Sequence, residues 1–74
     1  MTSELDARGL ICPLPVLKAR KALKAVPIGE ILTVLATDAG APGDFVHFCA
    51  TTGHELVGTE QQGDHTRISI RRRI

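Results

Sequence analysis

Apolar and polar positions alternate, then recur at helical spacing, then alternate again, and the changes of rhythm divide the chain into six elements. Leu5 between Glu4 and Asp6 starts a period-two pattern that predicts a strand over 3–7, turned by Arg8-Gly9. From Cys12-Pro13-Leu14-Pro15 onward the period becomes helical. Val16, Ala19, Ala22, Leu23 and Val26 fall on one arc, with Lys18, Arg20, Lys21 and Lys24 on the other side. Pro27 and Gly29 end this helix. A strand follows over 30–37, with Leu32, Val34 and Ala36 on one face and Ile31, Thr33 and Leu35 on the other. Two apolar faces indicate a central strand.

The segment 38–43 reads as a loop, with Pro42 placed to open a second helix. Phe45, Phe48, Cys49 and Thr52 share a face of that helix, and Gly53 is a natural left-handed terminator. The last two segments, 55–61 and 65–71, read as strands joined by the turn Gln62-Gly63-Asp64, which makes them an antiparallel hairpin. The order βαβαββ is most simply buried as an α/β two-layer (α+β) sandwich. In it a mixed four-stranded sheet carries two helices on one face, as right-handed crossovers require.

Length and composition narrow the class. Seventy-four residues make one domain, 1–74, with a small core. Phe45 and Phe48 are the only aromatics, so aliphatics and alanines carry the packing. Nine Lys and Arg against eight Asp and Glu give a net charge of +1, which argues against disorder and against strong general nucleic-acid binding. The longest mostly apolar run, 26–36, is too short to span a bilayer, and the N-terminus lacks the pattern of a signal peptide. The expected location is the cytoplasm, where thiols stay reduced.

Only Cys12 has the ingredients of covalent chemistry. It lies just before a helix whose start is bracketed by Pro13 and Pro15. Either Cys12 or Leu14 can be the helix cap, and with Cys12 as cap the Leu14 amide is the donor best placed to reach the sulfur. In both placements the thiol sits near a positive dipole end, with Arg8 and Lys18 close in sequence, an environment that favours thiolate. The alternative is a small buried hydrophobe, which free cysteine often is. Cys-Pro-Leu-Pro lacks the second cysteine of a thioredoxin-type motif, so exchange within the motif is excluded. What remains is a single nucleophile that holds a group and passes it on, and a persulfide sulfur fits that task.

Leu5-Asp6-x-x-Gly9-x-x-Cys12-Pro13-x-Pro15, followed by an aliphatic and basic helix, resembles the TusA (SirA-like) sulfur-carrier family. A second stretch is also similar: Ala36-Thr37-Asp38, Asp44, Phe48-Cys49 and His54-Glu55-Leu56-Val57. The resemblance implies the βαβαββ sandwich, similar to the C-terminal domain of bacterial translation initiation factor 3. It also implies that Cys12 carries sulfane sulfur as a persulfide, with Gly9, Pro13, Leu14 and Pro15 presenting it. Implied donors are cysteine desulfurases or rhodaneses, and implied acceptors are DsrE-like proteins feeding tRNA 2-thiolation or cytoplasmic sulfur oxidation. Such a protein is a stoichiometric carrier often classed as a sulfurtransferase. It needs no cofactor beyond the covalent sulfur, and it contacts neither membrane nor nucleic acid. Thr37-Asp38 stands where some members have paired acids before the second helix.

The other candidates have plain alternatives. Arg8, Lys18, Lys21 and Lys24 form either a docking face for an acidic partner or a solvated surface. Arg71-Arg72-Arg73 either touches RNA, as in a small RNA-binding module, or is a solubilising tail. Cys49 belongs in the core beside Phe45 and Phe48. Asp38 and Asp44 are expected to cap the second helix. Ile31 and Leu35 are sheet packing or an exposed patch. The histidines and cysteines show no zinc-ligand spacing, so no metal is expected. A third reading makes the chain a regulatory interaction protein with a structural Cys12.

Overall fold

A computed structural model describes residues 2–74. The chain runs β1 (Thr2–Ala7), α1 (Leu14–Leu23), β2 (Ile31–Ala36), α2 (Ala41–Thr52), β3 (Glu55–Gln62) and β4 (His65–Arg71). The four strands form one mixed sheet in the order β1-β2-β4-β3. β1 pairs with β2 in parallel, Leu5 opposite Val34 and Ala7 opposite Ala36. β4 pairs antiparallel with both β2 and β3. Every expected element is present, and the arrangement is the expected two-layer sandwich.

Alternation decides what β2 and β4 bury. Leu32, Val34 and Ala36 of β2 and Ile68 and Ile70 of β4 form one buried layer. Ala19 and Leu23 of α1 and Phe45, Phe48 and Cys49 of α2 close over it from the same side. Phe45 is fully buried and meets Phe48 edge to face, with ring centroids 6.3 Å apart. Each large side chain removed from water contributes roughly 1.5–3 kcal/mol. With two aromatics in the chain, the Phe45–Phe48 pair is the bulkiest part of that sum.

On the opposite face of β2, Leu35 is only 8% exposed. In the sheet register it lies between Asp6 and Arg67, and Arg67 reaches Glu4 at 3.9 Å. Long side chains thus lie over this face, so Leu35 is sheet packing and no open patch.

α1 ends at Leu23, earlier than its arc suggests, and the chain continues in turns that still bury Val26. Arg72 accounts for this ending. Its guanidinium donates to Lys24 O at 3.2 Å and Val26 O at 2.7 Å, carbonyls left without helical partners. α2 ends as expected, at Gly53 with φ +89°. β3 carries a bulge between Leu56 and Gly58 and exposes most of its length, which suits a sheet edge.

Candidate functional site

The parallel pairing of β1 and β2 sets the location of the site. Ala7 and Ala36, the last residues of the two strands, are register partners. The segments leaving them toward α1 and α2 therefore emerge side by side. Gly9 ties the two together, because its N–H donates to Thr37 Oγ1 at 2.9 Å. Gly9 has φ +82° within a turn closed by Leu10 N–H donating to Ala7 O at 3.3 Å. That backbone conformation costs glycine little and other residues more.

A second turn follows at once. Leu14 N–H donates to Ile11 O at 2.9 Å, so Cys12 and Pro13 occupy the tip, joined by a cis peptide bond. Leu17 N–H then donates to Pro13 O at 3.2 Å, and α1 is under way. The cap is Pro13, neither Cys12 nor Leu14. The Leu14 amide, expected to face the sulfur, is committed to Ile11 O instead. Cys12 projects from the turn and is exposed, whereas Cys49 is buried in the core as expected. Pro15, in the first turn of α1, is fully buried, so it packs against the interior as well as bracketing the helix start.

The electrostatics of Cys12 reverse the sequence expectation. Its thiol donates a hydrogen bond to the carboxylate of Asp44, in the first turn of α2. That bond, then partial desolvation, then the negative charges of Asp44 and Asp38 push the thiol above its ordinary value. The cations expected to lower it are directed elsewhere. Arg8 forks onto Asp6, with Nε at 2.9 Å and the terminal nitrogen at 3.0 Å. Arg8, with help from the charge of Lys18, holds the Asp6 carboxyl at about 2.

Neither acid caps α2. Asp38 Oδ2 accepts from Gly40 N at 3.0 Å, a local turn contact, and Gly40 is the cap residue. Asp44 is taken by Cys12. Both contacts were missed from sequence. The Asp38–Gly40 contact is local, whereas the Cys12–Asp44 contact arises from the pairing of β1 with β2, which brings two helix starts together.

Two shallow depressions differ in character. One is lined by Pro13, Val16, Asp44, His47, Phe48 and Thr51. The other runs along α1 and is lined by Leu10, Leu14, Leu17, Lys18 and Lys21. Leu14 and Leu17 are about half exposed and Ile11 is 70% exposed, so the start of α1 presents three exposed aliphatics within seven residues. Lys18 and Lys21 have no ion-pair partner among the described residues. Lys24 lies at the far end of α1, twelve residues beyond Cys12, against Arg72 and His54. The structure thus gathers Cys12, Pro13, Leu14, Lys18 and Lys21 around the start and exposed side of α1. It leaves Lys24 apart and pairs Arg8 with Asp6.

The three C-terminal arginines are not a loose tail. Arg71 donates to Gly29 O at 3.0 Å, Arg72 holds the end of α1, and Arg73 pairs with Glu55. No group of three or more His, Cys, Asp or Glu among the described residues is arranged to hold a metal ion. Among the described residues no helix is long and apolar enough to cross a membrane.

Comparison with known proteins agrees with this geometry. Residues 3–72 match the family model described as sulfurtransferase TusA. A Neisseria meningitidis serogroup A protein, named as a candidate sulfur carrier, is 57% identical across 92% of this chain and 95% of its own length. The sulfur carrier protein TusA of Allochromatium vinosum is 45% identical across 93% of this chain and 91% of its own. A SirA-like protein of Desulfitobacterium hafniense shares the fold, with a TM-score of 0.81 at 24% identity over the full length of both chains. With a family match over nearly every residue and relatives of this identity, the chain belongs to the TusA family of sulfur carriers.

Proposed function

We propose that this protein carries sulfane sulfur as a persulfide on Cys12 and relays it between sulfurtransferases in the cytoplasm. The observation that supports this most is the exposed thiol at the tip of the 11–14 turn, in a chain whose other thiol is buried. In loading, the Cys12 sulfur attacks the outer sulfur of a donor persulfide. The donor's S–S bond breaks, its cysteine leaves as a thiol, and Cys12 holds the outer sulfur. In delivery the roles reverse, with an acceptor thiolate attacking the sulfur on Cys12. The protein is a stoichiometric carrier and needs no further cofactor.

The donor in this reading is a cysteine desulfurase or a rhodanese, and the acceptor is a DsrE-like protein serving tRNA 2-thiolation or sulfur oxidation. Leu14, Leu17, Lys18 and Lys21 offer such partners an apolar centre with a cationic rim along α1, the helix that follows the Cys12 turn. Intact-mass measurement after incubation with a rhodanese and thiosulfate, or a desulfurase and cysteine, tests the reading. One added sulfur atom is expected, removed by reductant and absent from Cys12→Ser. Sulfur found on Cys49 instead would overturn the assignment.

A further inference from the structure

Asp44 accepts a hydrogen bond from the Cys12 thiol, and it comes from α2, thirty-two residues along the chain. A carboxylate is an unexpected neighbour for a nucleophilic thiol. Reactive cysteines ordinarily sit among cations.

We propose that Asp44 is the positioning residue that makes Cys12 a weak holder of sulfur. Its carboxylate engages the empty thiol as a hydrogen-bond acceptor and repels the anionic outer sulfur of the loaded form. This inference rests on the carrier reading and adds to it the sense in which the exchange is biased.

The balance follows from the charges. In loading, the Cys12 thiol and an anionic donor persulfide give an anionic Cys12 persulfide and the donor thiol. The outer sulfur moves to Cys12, and the proton of Cys12 ends on the donor sulfur. Asp44 stabilises the left side, where Cys12 is a neutral donor. It opposes the right side, where a negative sulfur lies on the same residue.

The other charges around the site do not cancel this. Asp38, from the segment before α2, adds to the repulsion, and its charge also acts to keep the thiol protonated. Arg8, in the segment leaving β1, is forked onto Asp6, and the charge of Lys18 on α1 is felt there too. His47 lines the same depression as Asp44, one turn further along α2. A carrier with this bias gives up cargo readily, which suits a relay better than a store.

Two measurements on Asp44→Asn test the inference, since the amide keeps shape and an acceptor oxygen but loses the charge. In the first, alkylation of Cys12 is followed against pH with no sulfur donor present. The midpoint should fall. At neutral pH the rate should rise about threefold per unit, because the gain in thiolate is partly offset by weaker intrinsic nucleophilicity. Asp38→Asn should give a smaller fall. In the second, protein is equilibrated with a small-molecule persulfide, and the loaded fraction is read by intact mass. The Asn variant should be loaded to a greater extent than the unaltered protein. An unmoved or raised midpoint, or equal or lower loading in a variant whose circular dichroism is native, would overturn the inference. If the Asn variant fails to fold, Asp44→Ser carries the same two measurements. Should the unaltered protein take up no sulfur while the midpoint still falls in the variant, the carrier reading fails and the Asp44–thiol coupling stands.

Discussion

Arg72 and Val26 lie forty-six residues apart, yet the guanidinium of one donates to the carbonyl of the other at 2.7 Å. The same nitrogen reaches Lys24 O at 3.2 Å. The backbone of Arg72 is also held, donating to Glu30 O at 3.0 Å and accepting from Gly29 N–H at 2.7 Å. One residue therefore fastens the end of the sheet to the end of α1, where a cation is favoured by the helix dipole. Arg72→Ala is expected to lower stability by about 1.5–3 kcal/mol, the range for a hydrogen bond to a charged group. Urea unfolding checks this. A loss near zero would mean water serves those carbonyls equally well.

The two thiols differ in burial, and that gives a direct chemical readout. Under native conditions one equivalent of a small alkylating reagent is expected to react, at Cys12. Cys49 is 6% exposed, and burial raises its thiol above the ordinary value. It should react only when denaturant opens the core. Peptide mapping after timed labelling distinguishes the sites, and equal rates at both would contradict the packing around Phe45 and Phe48.

Pro15 serves the core as well as the helix start. Replacing it with alanine removes about two methylene groups of buried surface, near 1.6 kcal/mol by transfer alone. The freed chain also gains entropy in the unfolded state, adding about 0.4–1 kcal/mol. Pro15→Ala should therefore cost about 2 kcal/mol in chemical denaturation. An unaffected midpoint would show that the surrounding side chains collapse into the space.

The pairing of Asp6 with Arg8 predicts a limited acid sensitivity. The folded carboxyl titrates at about 2, below its ordinary 3.8. Because the folded value is the lower one, the unfolded chain takes up the proton first as pH falls. The contribution is complete above about pH 4 and disappears as pH falls toward 2. Both groups are exposed, so salt should weaken it. Melting temperatures of Asp6→Asn across pH 2–6 should show less loss in that window than the unaltered protein.

The layer and the helices were legible in the sequence because local rules and burial agree there. Leu32, Val34 and Ala36 alternate as a half-sheet must, Ile68 and Ile70 do the same, and Gly53 sits where a left-handed ending is needed. Phe45, Phe48 and Cys49 share one helical face and one core. The exposure of Cys12 and the burial of Cys49 were also readable. The surroundings of Cys12 were not. Arg8 and Lys18 are close to Cys12 in number, but Arg8 is forked onto Asp6, where the charge of Lys18 also acts. Asp44 and Thr37 meet the Cys12 segment only through the parallel pairing of two strands, a long-range fact that no spacing rule encodes. The Arg71–Arg73 run failed as a free tail for the same reason, since the partners of these arginines are Gly29, Val26 and Glu55.

The tip of the 11–14 turn is exposed and is held to α2 by the Cys12–Asp44 hydrogen bond, with shallow depressions nearby. A sulfur carried there, as proposed above, lies in no enclosed cavity. Its lifetime between visits is set by whatever nucleophiles the solution contains, and its shelter comes only from the macromolecule that closes over it. On the carrier reading proposed above, selectivity is then a property of each transient pair and not of a purpose-built chamber in this small scaffold.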